Sequence, residues 1–155
     1  MASNRHLGRI VALQTLYEYE FRMQAGDATV SLDEILGRNL ARYESAIEDI
    51  DFVKDLTSGV VAATPDLDGK IQPIAPEWPI EQIARVDRAI LRLGLYELLY
   101  RNDKVPPKVA INEAVELAKS FGSDNSSKFV NGVLGTAYRT LVEEPTADAE
   151  TKQAE

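Results

Sequence analysis

Residues able to do covalent or acid–base chemistry are scarce in this 155-residue chain. It has one histidine, His6, and no cysteine. No cysteine or second histidine is there to complete a metal site or a nucleophile–base pair, so no catalytic residue, metal site or cofactor is expected. His6 reads as a surface or helix-flank residue. Carboxylates are plentiful, but the run Glu44, Glu48, Asp49, Asp51 and Asp55 reads as a solvated helix face. Gly132-x-x-Gly135 has the spacing of a GXXG backbone clamp, which joins helices beside a sheet, and no strands are predicted to flank it.

What remains is chemistry of recognition. Arg5 and Arg9 lie one helical turn apart and could straddle successive phosphates. Lys128 precedes Phe129, which falls about a quarter-turn from the apolar residues Val130 and Val133; the ring either packs on a neighbouring helix or forms a platform on which an unpaired base stacks. Asp87 falls on a helical wheel with Ile83, Ile90 and Gly94, away from the charges of its own segment. A carboxylate there needs a partner, either an internal one or a basic residue of another protein. The chain carries 17 basic and 25 acidic residues, a net charge of −8. Only residues 1–26 and 104–142 are net basic, while 27–55 carry −5. Salt limits the reach of distant charges to roughly 8–10 Å, so a local basic surface can still meet a phosphate backbone.

Helices must position these groups. Ile10, Leu13, Tyr17 and Phe21 recur at steps of three and four, predicting a helix over 5–24 that buries this stripe. Ser31-x-x-Glu34 and Ser45-x-x-Glu48 are capping boxes, each opening an apolar run. Thr64-Pro65 is expected to end the second run and start a short helix through Ile71. Pro73, Pro76 and Pro79 make 73–79 a stiff connector between subdomains at about 1–72 and 80–142. From Ile80 to Tyr100 the charges Glu81, Arg85, Arg88 and Arg92 form one stripe on an otherwise buried helix. Helices over 107–121, ended by Gly122 as a left-handed cap, and from about Asp124 to Leu141 follow. The acidic stretch 143–155 has little to bury and reads as a disordered tail. The fold class is all-α, with about seven helices. No signal-peptide or membrane-spanning run is found, so the expected location is cytoplasmic.

Four separated blocks, in order, carry a family resemblance: ALQTLY from Ala12, ARVDRAILRLGLYELLY from Ala84 to Tyr100, PPKVAINEAVELAKSFG from Pro106 and KFVNGVLG from Lys128. Over roughly 5–139 the chain resembles the NusB family of bacterial transcription antitermination factors. The resemblance implies two small helical bundles packed together and a non-enzymatic adaptor. Such an adaptor pairs with NusE, a small-subunit ribosomal protein, binds boxA RNA of nascent rRNA transcripts, and joins the RNA polymerase antitermination complex. It implies RNA contacts from Arg5, His6, Arg9, Tyr17, Lys128 and Phe129, and NusE contacts from Glu81, Asp87 and Arg88. Relatives are often richer in arginine at the start, where this chain has Leu7 and Gly8 between its cations. Two alternatives stay open: a protein-interaction module or homodimer with weak or no RNA binding, and a NusB-like domain related to those of rRNA cytosine methyltransferases.

Overall fold

The computed structural model describes residues 2–143, the side chains of residues 2–4 and Glu44 aside. Of the expected tail, 143–155, Glu143 ends the last helical segment and residues 144–155 lie outside the described residues. Among those residues the fold is all-α, with six helices: α1 (Ala2–Gln24), α2 (Leu32–Tyr43), α3 (Ile50–Ile74), α4 (Arg85–Tyr100), α5 (Pro107–Phe121) and α6 (Ser126–Ala137). Short 3-10 turns occupy Glu44–Ala46 and Ile80–Gln82, and a π-helical segment, Tyr138–Glu143, continues α6. No described helix is long and apolar enough to cross a membrane. The chain divides into two compact units at Thr64 and Pro65.

In the first unit, α1 buries Val11, Ala12, Leu13 and Leu16, and α2 buries Ile35 and Leu36. Burial along α1 is thus shifted from the predicted stripe, because Tyr17 and Phe21 are 38% and 47% exposed. A buried polar link joins the two helices: Asn39 Nδ2 donates to Thr15 Oγ1 (3.0 Å), which donates to the Val11 carbonyl (2.8 Å). The intervening turn is closed by Asp27, which accepts from Arg22 Nε (2.8 Å) and from the Thr29 amide (2.9 Å) and hydroxyl (2.6 Å). These bonds favour the ionised carboxylate and hold its pKa down to about 2, the Thr29 hydroxyl acting most strongly. Ser31 caps α2 as predicted, its Oγ accepting from the Glu34 amide (3.3 Å). Ser45 does not cap α3. Residues 44–46 form a 3-10 turn, and Asp49 accepts instead from the Phe52 amide (3.0 Å). Both residue types suit an N-cap, and the helix starts where the carboxylate is.

Thr64-Pro65 does not end α3, which continues through Pro65 and Pro73 to Ile74. Proline deletes one helical donor, leaving the Val61 and Gly69 carbonyls short of a bond; both prolines are exposed, so water can serve those carbonyls. The prediction failed because proline is tolerated where the freed acceptor stays wet. The expected connector therefore shrinks to residues 75–79, and the compact units part upstream of it.

In the second unit, α4 is the central element: Leu91, Leu93, Leu95 and Leu98 are fully buried. Gly94 lets α5 and α6 approach, since a Cβ there would lie 2.6 Å from Leu134 Cδ1 and 3.2 Å from Ala114 Cβ. Of the charged stripe predicted here, Glu81 and Arg85 are exposed, while Arg88 and Arg92 turn inward. Glu81 precedes the helix in the 3-10 turn; Arg88 is 5% exposed and its Nη1 donates to the Ile80 carbonyl (3.0 Å). Arg92 makes a two-pronged contact with Asp68 of α3, at 2.8 Å through Nε and Nη2. Asp66 accepts from Lys70 and the Tyr100 hydroxyl, which lowers its own pKa and raises that of the tyrosine. Gly122 ends α5 in an extended conformation (φ −93°), not a left-handed one. Space is the reason for glycine: a Cβ would lie 2.5 Å from Ser126 Oγ and 2.8 Å from the Ala118 carbonyl.

Candidate nucleic-acid interface

The residues singled out from the sequence fall into two sets, one in each unit. Arg5, His6, Arg9 and Tyr17 project from α1 in the first unit. Lys128 and Phe129 stand in the first turn of α6, with Glu81, Asp87 and Arg88 at the approach to α4, all in the second unit.

Arg5 and Arg9 do not straddle open space; they converge on one ring. Their guanidinium carbons lie 4.7 Å and 5.1 Å from the centroid of Phe52, in the first turn of α3. A planar cation over an aromatic face is attracted by the ring quadrupole. Gly8 belongs to the same contact: it is buried, and a Cβ would lie 2.9 Å from Val53 Cγ2. The gap between the arginines is thus filled by the closeness of α3. Arg9 is only 2% exposed, whereas the Arg5 side chain is 39% exposed and lies 3.9 Å from Asp49. Asp49 both caps α3 through Oδ1 and faces Arg5 through Oδ2. Of the two arginines, Arg5 has the surface to meet a phosphate. His6 is half-buried and Tyr17 exposed.

In the second unit, Asp87 and Phe129 line one hollow of about 380 Å³. Trp78, Gln82, Ser123 and Asn125 also border it. Each wall is pinned. Gln72 donates through Nε2 to the Trp78 carbonyl (3.0 Å) and accepts at Oε1 from the Ile80 amide (2.9 Å), holding the proline-rich turn. Buried Ser126 accepts from the Ser123 amide (2.8 Å), holding the opposite rim. Lys128 is exposed beside Phe129. Phe129 is half-buried, neither sealed in a core nor freely projecting.

Asp87 has no hydrogen bond or ion pair with any described residue, so the internal partner weighed from the wheel is not found among them. It needs none, being half-exposed to water and in the first turn of α4, where the helix dipole favours an anion. Glu81 is exposed, while Arg88 faces inward and braces the turn that carries Glu81.

Phe52 and Trp78 escaped the sequence reading. Nothing local marks Phe52, whose role depends on a helix that starts more than forty residues earlier. Trp78 did carry a signal: it is the only tryptophan, set between Pro76 and Pro79 with no apolar periodicity to bury it. Among the described residues no group of three or more histidine, cysteine or acidic side chains could hold a metal.

Comparison with known proteins places this geometry. A model of the NusB family matches residues 6–139. The transcription antitermination protein NusB of Chloroflexus aggregans is 44% identical over 151 residues, covering 97% of each chain. That of Roseiflexus castenholzii is 47% identical over 137 residues, covering 88% of this chain and 92% of the relative. Among solved structures, NusB of T. maritima is 32% identical with a TM-score of 0.75, covering 88% of this chain and 91% of that one. A chain in the crystal structure of antitermination factors NusB and NusE in complex with dsRNA is 26% identical, with a TM-score of 0.77 and coverage of 90% and 98%. Since the match runs through both compact units and nearly the whole length of these relatives, the chain belongs to the NusB family.

Proposed function

We propose that this chain is a non-enzymatic RNA-binding transcription antitermination factor. It pairs with NusE, binds boxA RNA of nascent rRNA transcripts in the cytoplasm, and promotes read-through by RNA polymerase. The observation that carries this reading is the likeness, over nine-tenths of the chain, to a protein crystallised with NusE and dsRNA. The surface chemistry supports it. Arg5 and Lys128 offer exposed cations, Tyr17 and Phe129 offer accessible rings, and His6 adds a polar neighbour to Arg5. Arg9 then acts through packing beneath Arg5. Glu81 is the exposed residue of the NusE side, Arg88 supports its turn, and Asp87 shares a hollow with Phe129.

A second reading rests on a specific observation: Tyr17 and Phe21 are exposed one turn apart on α1 and could be covered by a second copy. Light scattering separates the two. The adaptor reading expects a mass corresponding to one copy each of chain, NusE and boxA RNA. A homodimer that persists with NusE and RNA present would overturn it.

A further inference from the structure

Trp78 has no place in the function derived so far, yet it is 53% exposed on the rim of the hollow that Asp87 and Phe129 share. We infer that this hollow is a single-base pocket: an unstacked nucleobase bearing an exocyclic amino group enters beside Trp78 and Phe129 and donates to the Asp87 carboxylate. The inference deepens the RNA-binding reading and rests on it.

Three features point to a base. The hollow, at about 380 Å³, is within the range of about 300–1,000 Å³ usual for small-molecule sites. Two aromatic side chains border it, and base–aromatic stacking is the main attraction available to an unpaired nucleotide. The side chains of Gln82, Asp87 and Asn125 line the hollow and make no hydrogen bond to any described residue, so their capacity is open to whatever enters. Two amides and a carboxylate supply both donors and acceptors, as the edge of a base requires.

Charge decides how the nucleotide lies. No cation lines the hollow and Asp87 does, so a phosphate is repelled from it. Lys128, exposed next to Phe129, can hold a phosphate outside. A carboxylate accepts two hydrogen bonds readily and donates none, so it favours the amino groups of cytosine, adenine or guanine. Uracil carries no amino group, and its one edge donor, N3–H, sits between two carbonyl oxygens that the carboxylate repels. A lysine or arginine of a protein partner could also meet Asp87, but it has no use for the donors of Gln82 and Asn125, having no acceptor of its own.

Trp78 is the sole tryptophan, so its emission reports on the pocket directly. The full chain is titrated at low salt with a short oligocytidylate and an oligouridylate of equal length, following Trp78 emission and the anisotropy of the labelled strand. The expected result is quenching by oligocytidylate and about tenfold tighter binding than for oligouridylate. Asp87→Asn should bring the two strands to within about twofold. Trp78→Ala should weaken oligocytidylate about tenfold, and Trp78→Phe, which keeps a ring, about threefold or less. Circular dichroism of each variant checks that it folds, and the half-exposed tryptophan makes Trp78→Phe a safe second variant.

If both strands bind equally and Trp78 emission is unmoved, the pocket is overturned while RNA binding stands. If no single strand binds, boxA with NusE included, both readings fall. If NusE alone shifts the Trp78 emission and Asp87→Asn abolishes that shift, the occupant is a cation of the protein partner and the base pocket is overturned.

Discussion

Replacing Arg5 and Arg9 one at a time separates two uses of the same residue type. Arg5 keeps solvent exposure, so Arg5→Ala should flatten the plot of log affinity against log salt by about 0.7, the release expected from one single-strand phosphate contact. Arg9 is buried over Phe52, so Arg9→Ala should leave that slope unchanged and lower the stability seen in urea melts by about 1–3 kcal/mol. The reverse assignment of slope and stability would place the RNA surface elsewhere. The sequence shows both arginines a turn apart but not what lies beneath them, because burial of a cation depends on a ring supplied by another helix. Asp27 gives a pH test. Its folded pKa of about 2 lies below the ordinary 3.8, so its contribution is complete above the unfolded value and is lost as pH falls toward about 2. Asp27→Asn should therefore lower stability at neutral pH and make acid unfolding shallower between about pH 4 and pH 2, as followed by circular dichroism.

Glycines expose what holds the helices together. Gly94→Ala drives a methyl group against Leu134 and Ala114 and should destabilise by about 1–3 kcal/mol in thermal melts. Gly132 on α6 has open space around its Cβ position, so Gly132→Ala should stabilise by up to about 1 kcal/mol through helix propensity alone. Equal effects at the two positions would contradict the packing described for α4 and α6. At this scale much was legible. The period of apolar residues marks α2, α5 and α6 closely, since each buries one face. It misplaces the buried face of α1, where Thr15 and Arg9 are buried and Tyr17 and Phe21 are not, because hydrogen bonds and a ring satisfy the polar pair. It also ends α3 too early, because exposure of Pro65 and Pro73 lowers the cost that normally stops a helix at proline. The charged residues around α4 misled for a related reason: Arg88 and Arg92 find a carbonyl and a carboxylate within the unit rather than water.

Taken whole, the chain is an acidic helical scaffold whose net-basic stretches are residues 1–26 and 104–142. Four ordered blocks of sequence made the family legible before any coordinates, whereas the hollow was not, since Trp78, Asp87 and Phe129 come from three separate segments. A net charge of −8 opposes RNA, so the chain alone should bind weakly and rely on a basic partner for further phosphate contacts. The most direct test is the anisotropy of labelled boxA RNA and a scrambled strand at one fixed salt concentration, with the chain alone, NusE alone and the two together. The pair should bind boxA at least about tenfold tighter than either protein alone, and tighter than it binds the scrambled strand. Equal binding with and without NusE, or no preference for boxA, would contradict the account.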